Sequence, residues 1–61
     1  MKAMMKYELA MKAGVSYRTF SRWLVQNKEE LAKHGLQPGM RILPPRVVEY
    51  ICDKYGITIS D

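Results

Sequence analysis

Residues 9–24, LAMKAGVSYRTFSRWL, form the stretch of the chain that decides the fold. Apolar residues recur at four-residue spacing before Gly14, and this spacing predicts a helix over about Met4–Ala13 with Met5 on its apolar side. Gly14 suits the left-handed backbone conformation that ends a helix, and Ser16 suits the N-cap of the helix that follows. The stretch therefore predicts two short helices joined by a tight turn.

The second of these helices, predicted over Tyr17–Gln26, separates apolar from basic side chains. Its apolar stripe consists of three residues at i, i+3 and i+4 spacing: Phe20, Trp23 and Leu24. Because successive residues are rotated by about 100° around the helix axis, Arg18 and Arg22 lie almost opposite that stripe. A helix that packs by one face and presents arginines on the other has the properties needed to enter the major groove of DNA.

Weaker patterns continue the chain after this helix. Asn27 is a suitable N-cap for a short helix over about Lys28–His34, which has acidic residues in its first turn and basic residues in its last. Residues Leu36–Leu43 lack a helical pattern, and Pro38-Gly39 is a turn signal between two short runs. This segment is predicted as a connecting loop with some strand character; the alternative is a small β-hairpin that acts as a wing.

The last helix is predicted over residues 45–55. Pro44-Pro45 suits a helix start, and Gly56 suits its end. Its apolar side consists of residues at helical spacing: Val48, Ile51, Cys52 and Tyr55. The following Ile57-Thr58-Ile59 is predicted as a tail or a short edge strand. The fold class expected from these elements is a small all-α domain of three to four helices, with the wing as an optional addition.

Length and cysteine content limit the kind of protein. The 61 residues fit one domain, predicted to span 1–61, and so short a chain buries only about 60% of the surface that it exposes when unfolded. Cys52 is the single cysteine, so neither an internal disulfide nor a zinc-binding cysteine pattern is expected. No apolar run approaches the roughly 18 residues of a membrane span, and the start lacks a signal-peptide core, so the expected location is the cytoplasm.

Positive charge is concentrated in the first half of the chain. The formal net charge is +4, but residues 1–28 carry six Lys or Arg side chains and a single Glu, whereas residues 29–61 carry four basic and five acidic side chains. All of the excess positive charge therefore accompanies the two predicted helices and their turn. A polyanionic partner explains this distribution most simply, and a solvated basic surface without a partner is the alternative.

The same stretch resembles the helix-turn-helix of bacterial repressors, especially those of the LacI type. The resemblance covers a motif within residues 8–25 and rests on these positions: Ala10, Ala13-Gly14-Val15-Ser16, Thr19-Phe20-Ser21-Arg22 and Trp23-Leu24. It implies that Ala10 lets the two helices cross closely and that Val15, Phe20 and Trp23 hold them together. It also implies that the residues facing DNA are Ser16, Tyr17, Arg18, Ser21 and Arg22.

The rest of the chain departs from the LacI pattern, because the next strong helix begins only near Pro45. That spacing is closer to small MerR-like or excisionase-like winged-helix domains, although the MerR-type coiled coil has no counterpart in the sequence. The layout also resembles a family of small gut-bacterial proteins of uncharacterised function, in which a Thr-Pro-Arg-Glu-Val motif corresponds loosely to Pro44–Val48. The resemblance to helix-turn-helix and winged-helix domains implies a bacterial DNA-binding domain without a specific biological role, and no function follows from the resemblance to the gut-bacterial family.

The candidate DNA-binding residues also have structural interpretations. Arg18 and Arg22 can donate paired hydrogen bonds to guanine or bind phosphate, or they form an ordinary solvated helix face. Ser16 can bind phosphate or only cap the helix, and Tyr17 can stack on a sugar or shield the core. Three lysines flank the motif and can attract phosphates without sequence specificity: Lys6, Lys12 and Lys28. Arg41 belongs with them if a wing forms.

DNA binding is the function that these patterns favour, with the second predicted helix in the major groove and with a homodimer or a partner protein on adjacent DNA. The role expected is that of a small transcriptional regulator or an accessory factor of a mobile element. The alternatives are a protein-interaction module that keeps the helix-turn-helix scaffold without binding DNA, and a binder of single-stranded nucleic acid or RNA. No catalytic constellation, cofactor motif or small-molecule site is recognisable in the sequence, so an enzyme is not expected.

Overall fold

Four helices and two short strands form in the computed structural model, which describes residues 2–59. In chain order they are β1 (Met4–Met5), α1 (Lys6–Ala13), α2 (Tyr17–Gln26), α3 (Lys28–Lys33), β2 (Ile42–Leu43) and α4 (Pro45–Tyr55). The predicted fold class, a small all-α domain of three to four helices with a short β wing as an optional addition, is confirmed, and the two strands are the β addition. The predicted domain of residues 1–61 extends beyond the described residues at both ends.

α1 begins two residues later than predicted, because Met4 and Met5 form a strand instead of the first helical turn. Met5 is 37% exposed, so the prediction that it lies on the apolar side of α1 is wrong. Met4 is partly buried and packs against the core. The buried side of α1 consists of Leu9 and Ala10. This buried side is shorter than the sequence pattern indicates.

Gly14 ends α1, as the sequence predicts. Its φ of 75° lies in the left-handed region, where glycine avoids the steric cost that a Cβ atom imposes. Its N–H donates to the carbonyl of Met11 (3.1 Å), and the N–H of Val15 donates to the carbonyl of Ala10 (3.2 Å). These two hydrogen bonds close the helix end and fix the short turn that leads into α2.

α2 has the predicted bounds, and Ser16 caps its N-terminus. The Ser16 hydroxyl oxygen accepts a hydrogen bond from the Thr19 N–H (3.2 Å), and the same hydroxyl donates to Thr19 Oγ1 (3.1 Å). Thr19 thus occupies the position that a Glu has in a reciprocal capping box. Phe20 is fully buried, while Trp23 and Leu24 are partly buried and pack against the core.

Asn27 separates α2 from α3, and the prediction that its side chain caps α3 is wrong. The residue is only 6% exposed, and its Nδ2 donates instead to the Trp23 carbonyl (2.7 Å) and to Tyr55 Oη on α4 (2.9 Å). Tyr50 Oη, also on α4, donates to Asn27 Oδ1 (3.4 Å). Partners on α2 and α4 thus engage the amide, which explains why it does not cap α3. α3 also stops one residue earlier than predicted, at Lys33.

Residues 36–43 form a loop that ends in β2, which confirms the predicted connecting loop with strand character. A turn at residues 37–40 is closed by a backbone hydrogen bond of 3.3 Å, and Gly39 within it has a φ of 84°. A hairpin across this turn does not form, because β2 pairs antiparallel with β1 and places Met4 opposite Leu43. Leu43 is completely buried and anchors β2 beside the N-terminal strand.

The core joins all four helices and β2. Its buried apolar residues are Leu9, Ala10, Phe20, Leu31, Leu43, Val47, Val48, Ile51 and Cys52. α4 has the predicted bounds and supplies four of them, and Gly56 ends it. Residues 57–59 form a tail and not an edge strand, and Ile57 and Ile59 pack against the core. This core uses one side of α2 and leaves its opposite side at the surface.

Candidate nucleic-acid interface

The outer side of α2 carries the two arginines that the sequence analysis selected for groove contacts. Arg18 and Arg22 are exposed, on the side opposite the fully buried Phe20. They line one shallow groove together with Ser21, Val25 and Gln26. Phe20, Trp23 and Leu24 face the core, so the positions between them face outward. The side chains on the outer side of α2 therefore lie together, as helical periodicity predicts.

Tyr17 lies at the edge of this surface, beside a second groove. It is 52% exposed and lines this groove with Tyr7, Lys6 and Arg41. Lys6 is the first residue of α1 and Arg41 is the residue before β2, so the pairing of β1 with β2 brings the two cations to one groove. Nothing in the local sequence predicts this arrangement, because it depends on a pairing between distant segments.

A third groove connects the other two along the side of α2. Its lining includes Lys6, Leu24, Val25, Lys28 and Leu36. It shares Lys6 with the groove beside Tyr17, and it shares Val25 with the groove of the two arginines. The three grooves therefore adjoin one another. We refer to their combined surface as the basic face, after its cationic residues: Lys6, Arg18, Arg22, Lys28 and Arg41.

None of the carboxylates within residues 2–59 lines the basic face. Two grooves outside it hold four of them: Glu29, Glu30, Glu49 and Asp53. Three residues of the basic face also line the groove that holds Glu29 and Glu30: Val25, Gln26 and Lys28. Within the described residues the one ion pair joins Lys33 to Glu30 (3.3 Å), so Arg18 and Arg22 have no carboxylate partner there. Their charges are available to an anionic ligand.

Two of the candidate DNA-binding residues, Lys12 and Ser16, differ from the others, because Lys12 lies elsewhere and Ser16 also caps a helix. Lys12 is exposed in the last turn of α1 and lines none of the three grooves. The Ser16 hydroxyl is engaged with Thr19 at the N-cap, so it stabilises the helix end whether or not a phosphate approaches. The basic face thus brings together six of the eight residues selected from the sequence: Lys6, Tyr17, Arg18, Ser21, Arg22 and Lys28.

Val25 is a member of the basic face that the sequence analysis did not select. It is 74% exposed and lines the groove of the arginines, the connecting groove and the neighbouring groove that holds Glu29 and Glu30. Its helical position is the signal that identifies it. Val25 follows Arg18 by seven residues and Arg22 by three, and both spacings place it on the same side of α2.

Trp23 is engaged inside the fold. Its ring stacks on Tyr55 with a centroid distance of 3.9 Å and an interplanar angle of 7°. Its centroid also lies 6.0 Å from that of Phe20, and the residue packs against the core. A ring held by these neighbours stabilises the contact between α2 and α4 and is poorly placed to stack on an unpaired base.

The described residues offer little for metal or thiol chemistry. Within residues 2–59, no group of three or more His, Cys, Asp or Glu side chains is arranged to hold a metal ion. Cys52 is 3% exposed, and burial, together with the nearby charge of Asp53, raises the pKa of its thiol. The raised pKa favours the protonated thiol, which is a weak nucleophile and a poor metal ligand.

Comparison with protein-family models, with curated proteins and with solved structures finds no match to this chain. Among the helices of residues 2–59, none combines the length and the apolar character that crossing a membrane requires. A functional interpretation therefore depends on the residues of the basic face and on the fold that brings them together.

Proposed function

We propose that this protein binds double-stranded DNA as a helix-turn-helix domain and inserts α2 into the major groove. The observation that carries the proposal is the basic face. Arg18 and Arg22 lie on the exposed side of a helix whose other side packs on the core, and no carboxylate of residues 2–59 lines the three grooves of the basic face. The role that fits is a small bacterial regulator of transcription or an accessory factor of a mobile element, acting in the cytoplasm.

The dimensions of α2 suit a recognition helix. Its 10 residues span about 15 Å, and a helix with its side chains is about 10–12 Å across, which matches the roughly 12 Å width of the major groove. In this placement Arg18 and Arg22 face the base edges, and α1 lies across the DNA backbone. Tyr17, at the start of α2, contacts a sugar or a thymine methyl group.

Cations around α2 are suited to contact phosphates. Lys6 and Arg41 lie on one side of α2, and Lys28 follows its C-terminal end. In this placement Arg41 contacts DNA beside α2, as a residue of a wing does, although the strand that follows it, β2, pairs with β1 and not with a neighbouring hairpin strand. Lys12 at the end of α1 and Ser16 at the start of α2 complete the set. Such contacts provide affinity and orientation without base specificity.

One copy of the domain is small for specific binding. Its longest dimension is 25 Å, and a single module of this kind buries about 600–1,000 Å² on DNA. We therefore infer that two copies, or one copy and a partner protein, bind adjacent half-sites. For a symmetric dimer the half-sites lie about 34 Å apart, one turn of the duplex.

The alternative is a protein-interaction module on the same scaffold. Three exposed apolar side chains outside α2 favour it: Tyr7 (54%), Met11 (74%) and Ile42 (52%). A protein partner that covers them buries apolar surface, which is the main driving force of association. In this alternative Arg18 and Arg22 are solvated or face carboxylates of the partner. Both candidates are binding functions without catalysis, a cofactor or a small-molecule ligand.

Selection of duplexes from a random pool, followed by affinity measurements at several salt concentrations, tests the proposal. We expect recovery of a shared sequence and a linear fall of log affinity with log salt concentration, with a slope of about 0.9 for each phosphate contact. Where an arginine contacts guanine, Arg18→Ala or Arg22→Ala should weaken binding by roughly 5- to 150-fold, the equivalent of about 1–3 kcal/mol.

Arg46→Ala is the matched control, because Arg46 is an exposed arginine of α4 in the groove that contains Glu49 and Asp53. It removes the same charge and should change the affinity for DNA by less than about twofold, since screening weakens distant charges. Circular dichroism verifies that each variant is folded. If Arg18→Ala and Arg22→Ala bind every duplex as tightly as the parent does, the protein-interaction module is favoured instead. Stronger competition by single-stranded DNA or RNA than by duplex DNA also contradicts the proposal.

A further inference from the structure

Val25 is an apolar side chain in the middle of a charged surface. It is 74% exposed, so core packing does not account for it. Valine is also a weaker helix former than Ala, Leu, Arg or Lys, so helix propensity does not account for it either. Val25 lines three grooves. Two of them hold polar and basic residues and no carboxylate of residues 2–59, namely Arg18, Ser21, Arg22, Gln26 and Lys28, and the third also holds Glu29 and Glu30 of α3. An isopropyl group in this place is suited to contact an apolar group of a partner that is otherwise polar and anionic.

Four residues of α2 form a row along the basic face at positions i, i+3, i+4 and i+7: Arg18, Ser21, Arg22 and Val25. A recognition helix can read base edges from this set of positions. At a rise of about 1.5 Å per residue, Val25 lies about 10.5 Å along the helix from Arg18. That distance corresponds to about three base-pair steps of 3.4 Å, so the row spans a short run of adjacent base pairs.

We propose that Val25 recognises the C5-methyl group of a thymine in the major groove, within about three base pairs of guanines contacted by Arg18 and Arg22. The inference rests on the proposed DNA-binding function and adds the base composition of the site. The thymine methyl group is the apolar feature that base edges present in the major groove, whereas guanine presents two acceptors that match an arginine. One side of α2 thus specifies two kinds of base.

A protein partner that covers Val25 is the competing explanation, since Leu24 and Leu36 line the connecting groove. That groove also contains Lys6 and Lys28 and none of the carboxylates of residues 2–59. An apolar protein surface placed there leaves these cations without counter-charge, which is unfavourable. Duplex DNA offers phosphates for the cations and a methyl group for Val25 in the same site, so the observations favour DNA.

Replacement of thymidine by deoxyuridine tests this assignment, because deoxyuridine lacks only the C5-methyl group. The probe is the duplex recovered most often from the random pool, with each thymidine replaced in turn. For the parent protein we expect one replacement to weaken binding about fourfold, the effect of one buried methyl group. The Val25→Ala variant should bind that substituted duplex and the original duplex equally.

Met11→Ala is the matched control, because Met11 has the same exposed fraction as Val25 but lies on α1 outside the basic face. This variant should retain the fourfold difference between the two duplexes. Alanine is a better helix former than valine at an exposed position, so Val25→Ala is expected to fold, and circular dichroism verifies it.

Failure of this inference is distinguishable from failure of the proposed function. If a duplex is recovered but no thymidine replacement separates the parent from Val25→Ala, the role of Val25 is overturned and DNA binding stands. A recovered site that specifies no thymine has the same consequence. Recovery of no shared duplex overturns both the proposed function and the role of Val25.

Discussion

Replacing Asn27 by alanine should lower the free energy of unfolding by about 2–3 kcal/mol. Asn27 is the buried polar residue of the described chain, with 6% of its surface exposed. Its amide joins the end of α2 to two side chains of α4, Tyr50 and Tyr55. The substitution therefore removes the polar link between α2, which carries Arg18 and Arg22, and α4, which supplies four of the nine buried apolar residues.

The magnitude follows from three hydrogen bonds of unequal length. Asn27 Nδ2 donates to the Trp23 carbonyl at 2.7 Å and to Tyr55 Oη at 2.9 Å, and a net contribution of about 1 kcal/mol is typical for each. The bond from Tyr50 Oη to Asn27 Oδ1 is 3.4 Å long and adds little. The cavity left by the amide lowers the stability by a further amount of less than about 1 kcal/mol. The Trp23 carbonyl still accepts a hydrogen bond from the backbone N–H of residue 27 (3.1 Å), so the substitution does not leave it without a donor, and this limits the total loss of stability.

A loss of this size is a large share of the stability of so small a domain. At about 0.05–0.15 kcal/mol per residue, a chain of 61 residues has roughly 3–9 kcal/mol in total. Urea unfolding followed by the fluorescence of Trp23, the single tryptophan, measures the change. The signal is sensitive to unfolding because the Trp23 ring stacks on Tyr55 in the folded chain.

Two conservative variants separate the individual hydrogen bonds. Tyr55→Phe removes the 2.9 Å bond but keeps the ring that stacks on Trp23, and it should cost about 1 kcal/mol. Tyr50→Phe removes only the 3.4 Å bond and should cost less than about 0.5 kcal/mol. The reasoning is refuted if Asn27→Ala is as stable as the parent, or if the two tyrosine variants are equally destabilised.

Three further predictions concern the helix turn, the phosphate contacts and the buried thiol. Gly14→Ala should destabilise the fold by about 1–2 kcal/mol in urea unfolding, because φ is 75° although the space beside the residue is open. Lys6→Ala and Arg41→Ala should each reduce the salt slope of DNA binding by about 0.9 without changing the selected sequence, and an unchanged slope excludes a phosphate contact. Burial and the charge of Asp53 raise the pKa of the Cys52 thiol. The thiol therefore contributes fully to stability at pH values below the thiol pKa of the unfolded chain, about 8.5. This contribution is lost as the pH rises through the higher pKa of the folded chain. Cys52→Ala should remove that part of the pH dependence of unfolding.

The helices α2 and α4 were predictable because their signals are local. Ser16, Pro45 and Gly56 mark helix ends, and apolar residues at helical spacing lie between them. The strand pair was not predictable in the same way. Two-residue strands have no periodic pattern, and Met4–Met5 pairs with Ile42–Leu43 in the other half of the chain, so no short window of sequence reveals the partner.

The candidate site was likewise predictable only in part, because some of its features follow from the local sequence and others from tertiary contacts. The outward position of Arg18 and Arg22 follows from helical periodicity once the apolar stripe is buried. The shared groove of Lys6 and Arg41 depends on the strand pairing, so it required the structure. Asn27 has the residue type of an N-cap, but partners on α4 determine its hydrogen bonds, and a local rule does not include them.

The distribution of charge bears on the choice between DNA and a protein as the partner of the basic face. When a partner excludes water from a cation without pairing it, the cost is about 3–5 kcal/mol, so every covered cation needs a counter-charge. A protein must place a carboxylate individually opposite each of the five: Lys6, Arg18, Arg22, Lys28 and Arg41. B-DNA carries one negative charge per about 1.7 Å of its axis, so a domain 25 Å long meets phosphates along its whole length at any position on the duplex. Because Lys6, Lys28 and Arg41 come from α1, α3 and the loop before β2, a regular array of phosphates is their more complete counterpart, while guanine acceptors in the groove pair with Arg18 and Arg22.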